Sequence, residues 1–154
     1  MSTDQPDEKP RVSDAEMLAR FQNSKKRPPC SDTHGMQLSA VEQDAQRIKM
    51  EFEVPGMFAN PTGAVQGGFI AAMMDEAMST CCIIASNVTM TAPTLEMKTS
   101  YLRRLMPGPA SVEARLLKWG RSAAFMEAEC FDADGKLVAK ATATAIPMPF
   151  KRLS

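Results

Sequence analysis

Apolar and polar residues alternate along much of the chain, and this alternation predicts most of its strands. In residues 47–54, RIKMEFEV, every second side chain is apolar and the others are charged. This is the period of a strand with one buried face. A strand over residues 36–45 precedes it across a tight turn. Four more strands are predicted over residues 94–106, 110–119, 122–131 and 137–147.

Two segments have a helical pattern instead. Residues 13–24 open with SDAE, which fits a capping box, and continue with apolar residues at helical spacing. Residues 67–85 are apolar on nearly every side, yet they contain Asp75 and Glu76. Between the first helix and the first strand, KKRPPCSDTHG is predicted to be a loop, because its two prolines stop a helix.

The order of these elements predicts the α+β class, with an antiparallel sheet curved around one long central helix. A helix that is apolar all round needs cover on every side, and a partner subunit would help to supply it. We divide the chain into a mobile N-terminal tail at 1–12, a helix and loop at 13–34, and a single domain at 35–150.

Composition excludes several kinds of partner. Eighteen basic and eighteen acidic side chains cancel, which gives no electrostatic argument for binding nucleic acid or an anionic membrane. The N-terminal residues contain no apolar signal region, so no secretory signal is expected. Because two acids interrupt the longest apolar segment, we do not expect it to span a membrane.

The four cysteines contain no C-x-x-C pair, and His34 is the only histidine. A zinc site is therefore poorly supported, and no metal is expected. The simplest interpretation is four reduced thiols that pack as small apolar residues, with His34 as a loop residue. That cysteine usage indicates a reducing, cytoplasmic environment.

The start of the apolar helix, GAVQGGFIAAMMDEAMS, contains the candidate chemistry. Gly67 and Gly68 leave the first backbone N–H groups of the helix unobstructed, and these could hold a carbonyl oxygen that becomes negative. A flexible entry turn is the plainer alternative. Asp75 lies eight residues after Gly67, which is about 12 Å along a helix. A structural or solvent-facing carboxylate is the alternative for Asp75.

If Gly67 and Asp75 act on one carbonyl, that distance requires two subunits. A two-fold dimer with antiparallel helices side by side would bring the glycine of one copy to the acid of the other, and would form two such sites.

The motif formed by Gln66, Gly67 and Gly68, with Asp75 nine residues after Gln66, resembles that of the hotdog-fold acyl-CoA thioesterases. These belong to the 4-hydroxybenzoyl-CoA thioesterase superfamily, and the similarity is to its phenylacetate-pathway-like branch, over roughly residues 35–147. The resemblance implies hydrolysis of an acyl-CoA thioester to a carboxylic acid and coenzyme A, by a homodimer or homotetramer with shared sites. Coenzyme A is then part of the substrate, and no separate cofactor is expected.

The resemblance also implies roles for individual residues. Asp75 matches the catalytic carboxylate, as general base or nucleophile, and the N–H of Gly67 matches the donor to the thioester carbonyl. Gln66 occupies a position that is His in many relatives; its amide can donate a hydrogen bond but cannot carry a proton near neutral pH. Asn60 matches a residue that holds substrate or water, and Thr94 matches one that supports the water beside the carboxylate. As alternatives, Asn60 is also a good turn residue and Thr94 an ordinary strand residue.

Other residues are weaker candidates for binding the substrate. Gly68 lies beside the proposed oxyanion position. Basic side chains at strand ends could meet the phosphates of coenzyme A, or could simply be solvated; they are Arg103, Arg104, Lys118 and Arg121. Methionines of the long helix, Met74 among them, are expected to fill the core and could also line an adaptable acyl pocket.

Three alternative functions stay open on the sequence. A hotdog hydratase or dehydratase would need an Asp/His pair, which a chain with a single histidine supplies poorly. A non-catalytic acyl-CoA-binding protein would keep the fold and the ligand but show no turnover. A plain structural dimer would bind neither.

Overall fold

A computed structural model describes residues 11–150 of the chain. Most of the predicted N-terminal tail therefore lies outside the described residues. The helices are α1 (Asp14–Gln22), α2 (Pro29–Thr33) and α3 (Gly67–Ala85), with a 3-10 turn at Gly56–Phe58. The strands are β1 (Gln37–Glu42), β2 (Arg47–Val54), β3 (Met90–Thr91), β4 (Thr94–Tyr101), β5 (Gly108–Trp119), β6 (Ala124–Asp132), β7 (Leu137–Ala145) and β8 (Met148–Pro149).

Six strands form one antiparallel sheet in the order β1-β2-β5-β6-β7-β4, and α3 packs against it. Nine residues of α3 are buried, including Met73, Met74 and Met78. By length and composition α3 could also cross a membrane, with a mean hydropathy of 1.4. In this structure it is the helix of the core, and the predicted α+β hotdog architecture is confirmed.

The predicted bounds hold where the sequence pattern is strongest. Strand β2 and helix α3 begin and end as predicted, and Ser13 caps α1 by accepting a hydrogen bond from the backbone N–H of Glu16 at 3.2 Å. Strand β4 ends five residues before the predicted end, at Tyr101. The backbone N–H groups of Leu102 and Arg103 both turn to the carbonyl of Val138, at 2.7 and 3.1 Å, so the chain leaves the ladder there.

The predicted loop before β1 contains the short helix α2, so that prediction is wrong. Its first helical residue is Pro29. A proline at this position has no N–H to lose from the helix ladder, and its fixed φ angle suits a helix start. The two prolines prevent a helix from continuing through them but favour one that begins there.

A buried polar cluster fastens α2 to α3. The hydroxyl of Ser31 donates to one carboxylate oxygen of Glu76, and Nδ1 of His34 lies 3.2 Å from the other. The ring of His34 also meets Phe58 edge-on, with centroids 5.7 Å apart. His34 directly follows α2 as its C-cap residue, within the segment predicted to be a loop, and its side chain packs in the structure.

All four cysteines are free in the structure. Cys30 is exposed, and the other three are buried. Burial raises the pKa of the Cys81, Cys82 and Cys130 thiols to about 12. These three therefore stay protonated near neutral pH and pack as apolar groups.

Replacing Glu76 by alanine should destabilise the fold, because it leaves Ser31 and His34 without a buried acceptor. We expect a loss of about 2–3 kcal/mol in the free energy of unfolding, measured by urea denaturation. Glu16→Ala is the matched control, since Glu16 is also helical but forms an exposed pair with Arg20, for which less than about 1 kcal/mol is expected. Equal losses for the two variants would contradict a structural role for Glu76.

Native protein should show one fast-reacting thiol with a disulfide reagent at mildly alkaline pH, and four after denaturation. The reactive species is the thiolate, which burial suppresses at Cys81, Cys82 and Cys130, whereas Cys30 is exposed to the reagent. The variant Cys30→Ser should abolish the fast phase. More than one fast thiol in the native protein would show that the core is open at α3, which carries Cys81 and Cys82, or at β6, which carries Cys130.

Candidate active site

The carboxylate of Asp75 is held by the first residue of strand β4. The hydroxyl of Thr94 donates to Oδ1 of Asp75 at 2.7 Å. Both residues are only partly buried. Asp75 therefore lies on a face of α3 that the sheet of its own chain does not fully cover, and it keeps one fixed hydrogen bond there.

An irregularity in β4 turns Thr94 toward the helix. The ladder with β7 pairs Thr94 with Ala145 and Glu96 with Thr144, so Leu95 is an extra residue in β4. From residue 97 onward, the odd-numbered positions of β4 pair with buried alanines of β7. A regular strand would therefore direct Leu95 inward and Thr94 outward. The bulge reverses this, and Leu95 is 63% exposed.

The start of α3 has no side-chain cap. Gln66 is the N-cap residue, and its exposed side chain makes no capping bond. Its backbone N–H donates to the carbonyl of Phe58 at 2.9 Å, which ties the helix start to the preceding loop. The first N–H groups of the helix, those of Gly67 and Gly68, point out of the helix end and have no intrahelical acceptor.

Asn60 shapes the loop that leads to this helix start. Its side-chain oxygen accepts from the N–H and the hydroxyl of Thr62, at 2.9 and 2.7 Å. The amide nitrogen of Asn60 is consequently the part of the side chain available to a ligand. The structure thus places Asn60 in the turn that the alternative interpretation predicted, within the same loop as Gln66.

Tyr101, which the sequence reasoning missed, lies against the helix start. Its hydroxyl donates to the carbonyl of Gly67 at 2.7 Å. A Cβ added to Gly67 would be 3.0 Å from Cζ of the Tyr101 ring. The only local signal is that Tyr101 is the single tyrosine of the chain and lies within a predicted strand.

Two halves of the candidate site lie on one helix but do not meet. Gly67 and Asp75 are eight residues apart in α3, or about 12 Å at 1.5 Å per residue. A thioester carbonyl cannot contact both within one chain. Strand β4 braces both halves, through Thr94 at Asp75 and Tyr101 at Gly67.

The structure corrects the predicted contact of Met74 with substrate. Met74 has no exposed surface and fills the core, because the sheet covers its side of α3.

The predicted phosphate ligands lie far apart from one another within one chain. Arg103 follows Tyr101 and donates to the carbonyl of Leu137 at 2.7 Å, whereas Arg121 follows β5 at the opposite end of the sheet, beyond the Ala124 to Ala145 pair.

Within residues 11–150, no group of three or more His, Cys, Asp or Glu side chains is arranged to hold a metal ion. The histidine is engaged by Glu76, and three of the thiols are buried. The chemistry available at the site is therefore that of a carboxylate, a hydroxyl, amides and backbone N–H groups.

Comparison with known proteins gives consistent matches. A putative esterase of Saccharolobus solfataricus is 28% identical over 106 residues, which is 69% of this chain and 75% of that protein. A structure of a putative thioesterase related to phenylacetic acid degradation, from Ralstonia eutropha, is 31% identical with a TM-score of 0.76; the match covers 84% of this chain and 98% of that one. A Streptococcus mutans protein crystallised with acetyl CoA is 19% identical, with a TM-score of 0.68 over 83% of this chain and 97% of that one.

The family model described as the thioesterase superfamily matches residues 62–139. That segment begins just before Gln66 and contains Gly67, Asp75, Thr94 and Tyr101, so it includes both halves of the candidate site. The sequence match, the similar structures and the curved sheet around α3 agree: the chain belongs to the thioesterase superfamily.

Proposed function

We propose that the protein is an acyl-CoA thioesterase that hydrolyses a thioester to a free carboxylic acid and coenzyme A. The observation that carries this proposal is the hydrogen bond from Thr94 to Asp75 at 2.7 Å. It fixes a partly exposed carboxylate on a predominantly apolar helix. Membership of the thioesterase superfamily supports thioesterase-type chemistry, and the acetyl CoA bound to the Streptococcus mutans protein supports the choice of thiol carrier.

The reaction can proceed with the residues present. The helix N-terminus at Gly67 polarises the thioester carbonyl. With Asp75 as general base, one of its carboxylate oxygens takes a proton from water while the resulting hydroxide adds to the carbonyl carbon. The carbon–sulfur bond then breaks, and the thiolate of coenzyme A receives the proton from Asp75. With Asp75 as nucleophile, its carboxylate instead adds to the carbonyl carbon, the carbon–sulfur bond breaks and coenzyme A leaves as the thiolate. Water then hydrolyses the resulting mixed anhydride to the free acid and the Asp75 carboxylate, and the proton released is taken up by the thiolate.

Each site is shared by two copies of the chain in this proposal. The separation of Gly67 and Asp75 along α3, about 12 Å, requires it. Strand β4 is at one edge of the sheet, where its outer N–H and C=O groups can pair with another strand. Antiparallel pairing of two β4 strands would continue the sheet and set the two α3 helices side by side. A homodimer is the minimum, and a homotetramer would be a pair of such dimers.

The two rival activities are less well supported. A hydratase or dehydratase would use an Asp/His pair, but Nδ1 of His34 is engaged by Glu76 at 3.2 Å, while Asp75 is engaged by Thr94. A non-catalytic acyl-CoA-binding protein would not need a carboxylate fixed beside an open helix face. It stays an explicit outcome of the assay.

Asp75→Asn should lower kcat for acyl-CoA hydrolysis on the order of 10²–10⁴-fold, since the amide can neither accept the proton nor attack. Thiol release is measured across short, medium and aromatic acyl-CoAs. Glu76→Gln is the matched control: the neighbouring acid faces α2, and its variant should keep most of the turnover at a temperature where it is folded. Equal activity of wild type and Asp75→Asn would disprove the assigned mechanism, and ligand binding without turnover by the wild type would favour the non-catalytic alternative.

Mixed dimers test the sharing of sites. Gly67→Pro removes the N–H at the first helical position, where proline is well tolerated, and the exposed end of Tyr101 can move aside for the ring. Homodimers of Asp75→Asn or Gly67→Pro should both be inactive. A heterodimer purified with two affinity tags contains one intact site and should recover about half of the wild-type activity. No recovery in correctly folded heterodimers would exclude the shared geometry.

A further inference from the structure

Strand β4 contacts α3 at a second point that the proposed mechanism does not use. The phenol of Tyr101 donates to the carbonyl oxygen of Gly67 at 2.7 Å, and its ring covers one side of that glycine. A Cβ at Gly67 would be 3.2 Å from both Cε1 and the hydroxyl oxygen of Tyr101. This contact lies on the first turn of the helix, where the thioester carbonyl is expected.

The bonded carbonyl belongs to the same peptide group as the N–H of Gly68. A hydrogen bond accepted at a peptide C=O polarises the whole amide and strengthens the hydrogen bond that its N–H donates. Gly68 is in the first turn of α3 and its N–H has no intrahelical partner. The hydrogen bond from Tyr101 therefore strengthens an N–H group that is free to bind a ligand at the helix end.

The space around the two glycines also favours Gly68 as a donor to a ligand. The ring of Tyr101 closes one side of Gly67, whereas a Cβ at Gly68 would meet nothing within 4 Å. Gly68 is also exposed. A carbonyl oxygen that approaches the helix end thus has open space over Gly68.

We propose that Tyr101 is a positioning residue for the thioesterase reaction: it fixes the first peptide of α3 and strengthens the N–H of Gly68 as a second donor, beside Gly67, to the thioester oxygen. The inference rests on the proposed function. Tyr101 would then support the half of the site that binds the thioester oxygen. Thr94, from the same edge strand, supports the half that holds the carboxylate.

A purely structural role for Tyr101 makes different predictions. Packing of the ring against Gly67 would be kept by phenylalanine, so Tyr101→Phe would change neither rate nor stability. Tyr101 is 50% exposed. If its hydroxyl is removed, water can therefore bond the carbonyl of Gly67 in its place. An effect confined to kcat therefore separates the two roles.

Tyr101→Phe should reduce kcat about three- to tenfold, with KM changed less than twofold and an unchanged unfolding midpoint. Since Tyr101 is the only tyrosine, growth on 3-fluorotyrosine labels this position alone and makes its phenol a stronger hydrogen-bond donor. At slightly acid pH, the fluorinated enzyme should match or exceed the wild-type kcat. Unchanged kcat in Tyr101→Phe, or a loss found only in KM, would overturn the proposal.

A second readout does not depend on turnover. In ¹⁵N-labelled protein, the amide proton of Gly68 should move upfield in Tyr101→Phe, and it should move downfield when wild type binds S-acetonyl-CoA, whose ketone cannot be hydrolysed. If no acyl-CoA is hydrolysed by the wild type, the proposed function fails, but these shifts still decide whether Tyr101 tunes Gly68. A Gly68 signal insensitive to both changes would refute the role of Tyr101 independently of catalysis.

Discussion

The need to cover an apolar helix on all sides determines the architecture of this protein. Helix α3 buries nine residues against a sheet that its own chain supplies. The sheet can curve around only part of the helix, since it ends at β4 on one edge. A face of α3 is left partly exposed there, and that is the face on which Asp75 lies. The open side of the core and the side of the helix that carries the candidate catalytic carboxylate are consequently the same surface.

Strand β4 contacts both halves of the candidate site. Its first residue bonds the carboxylate of Asp75, and its last bonds the carbonyl of Gly67. Because both contacts depend on one register with β7, a slip of one residue would lose them together. The bulge at Leu95 lets Thr94 and Tyr101 face the same helix although they are an odd number of residues apart. Under the proposed function, this strand also forms the contact between subunits. The same strand would then both join the two copies and hold the residues of the site in place.

Sequence reasoning predicted the fold well and the site in part, for identifiable reasons. Helix α3 was predictable because glycines precede a long apolar run. Gly67 and Asp75 were found from the helix start and the acid in that run, and Gln66 from the family resemblance. The resemblance placed Thr94 near the water beside the carboxylate, but its direct hydrogen bond to Asp75 was not predicted, since alternation in β4 would direct Thr94 outward without the bulge. The contact of Tyr101 with Gly67 was missed because the two residues are 34 positions apart in the chain, and alternation along β4 shows which face Tyr101 is on but not what it meets there.

The two adjacent acids show how surroundings separate a structural carboxylate from a reactive one. They lie about 100° apart around α3. Glu76 has both oxygens engaged, one by Ser31 and one by His34, which makes it a fixed acceptor that joins two helices. Within the described residues, the carboxylate of Asp75 accepts one hydrogen bond, from Thr94, so its second oxygen is available to water or to a thioester carbon. A carboxylate must be held in place to be catalytic and must also keep one oxygen uncommitted, and only Asp75 meets both conditions.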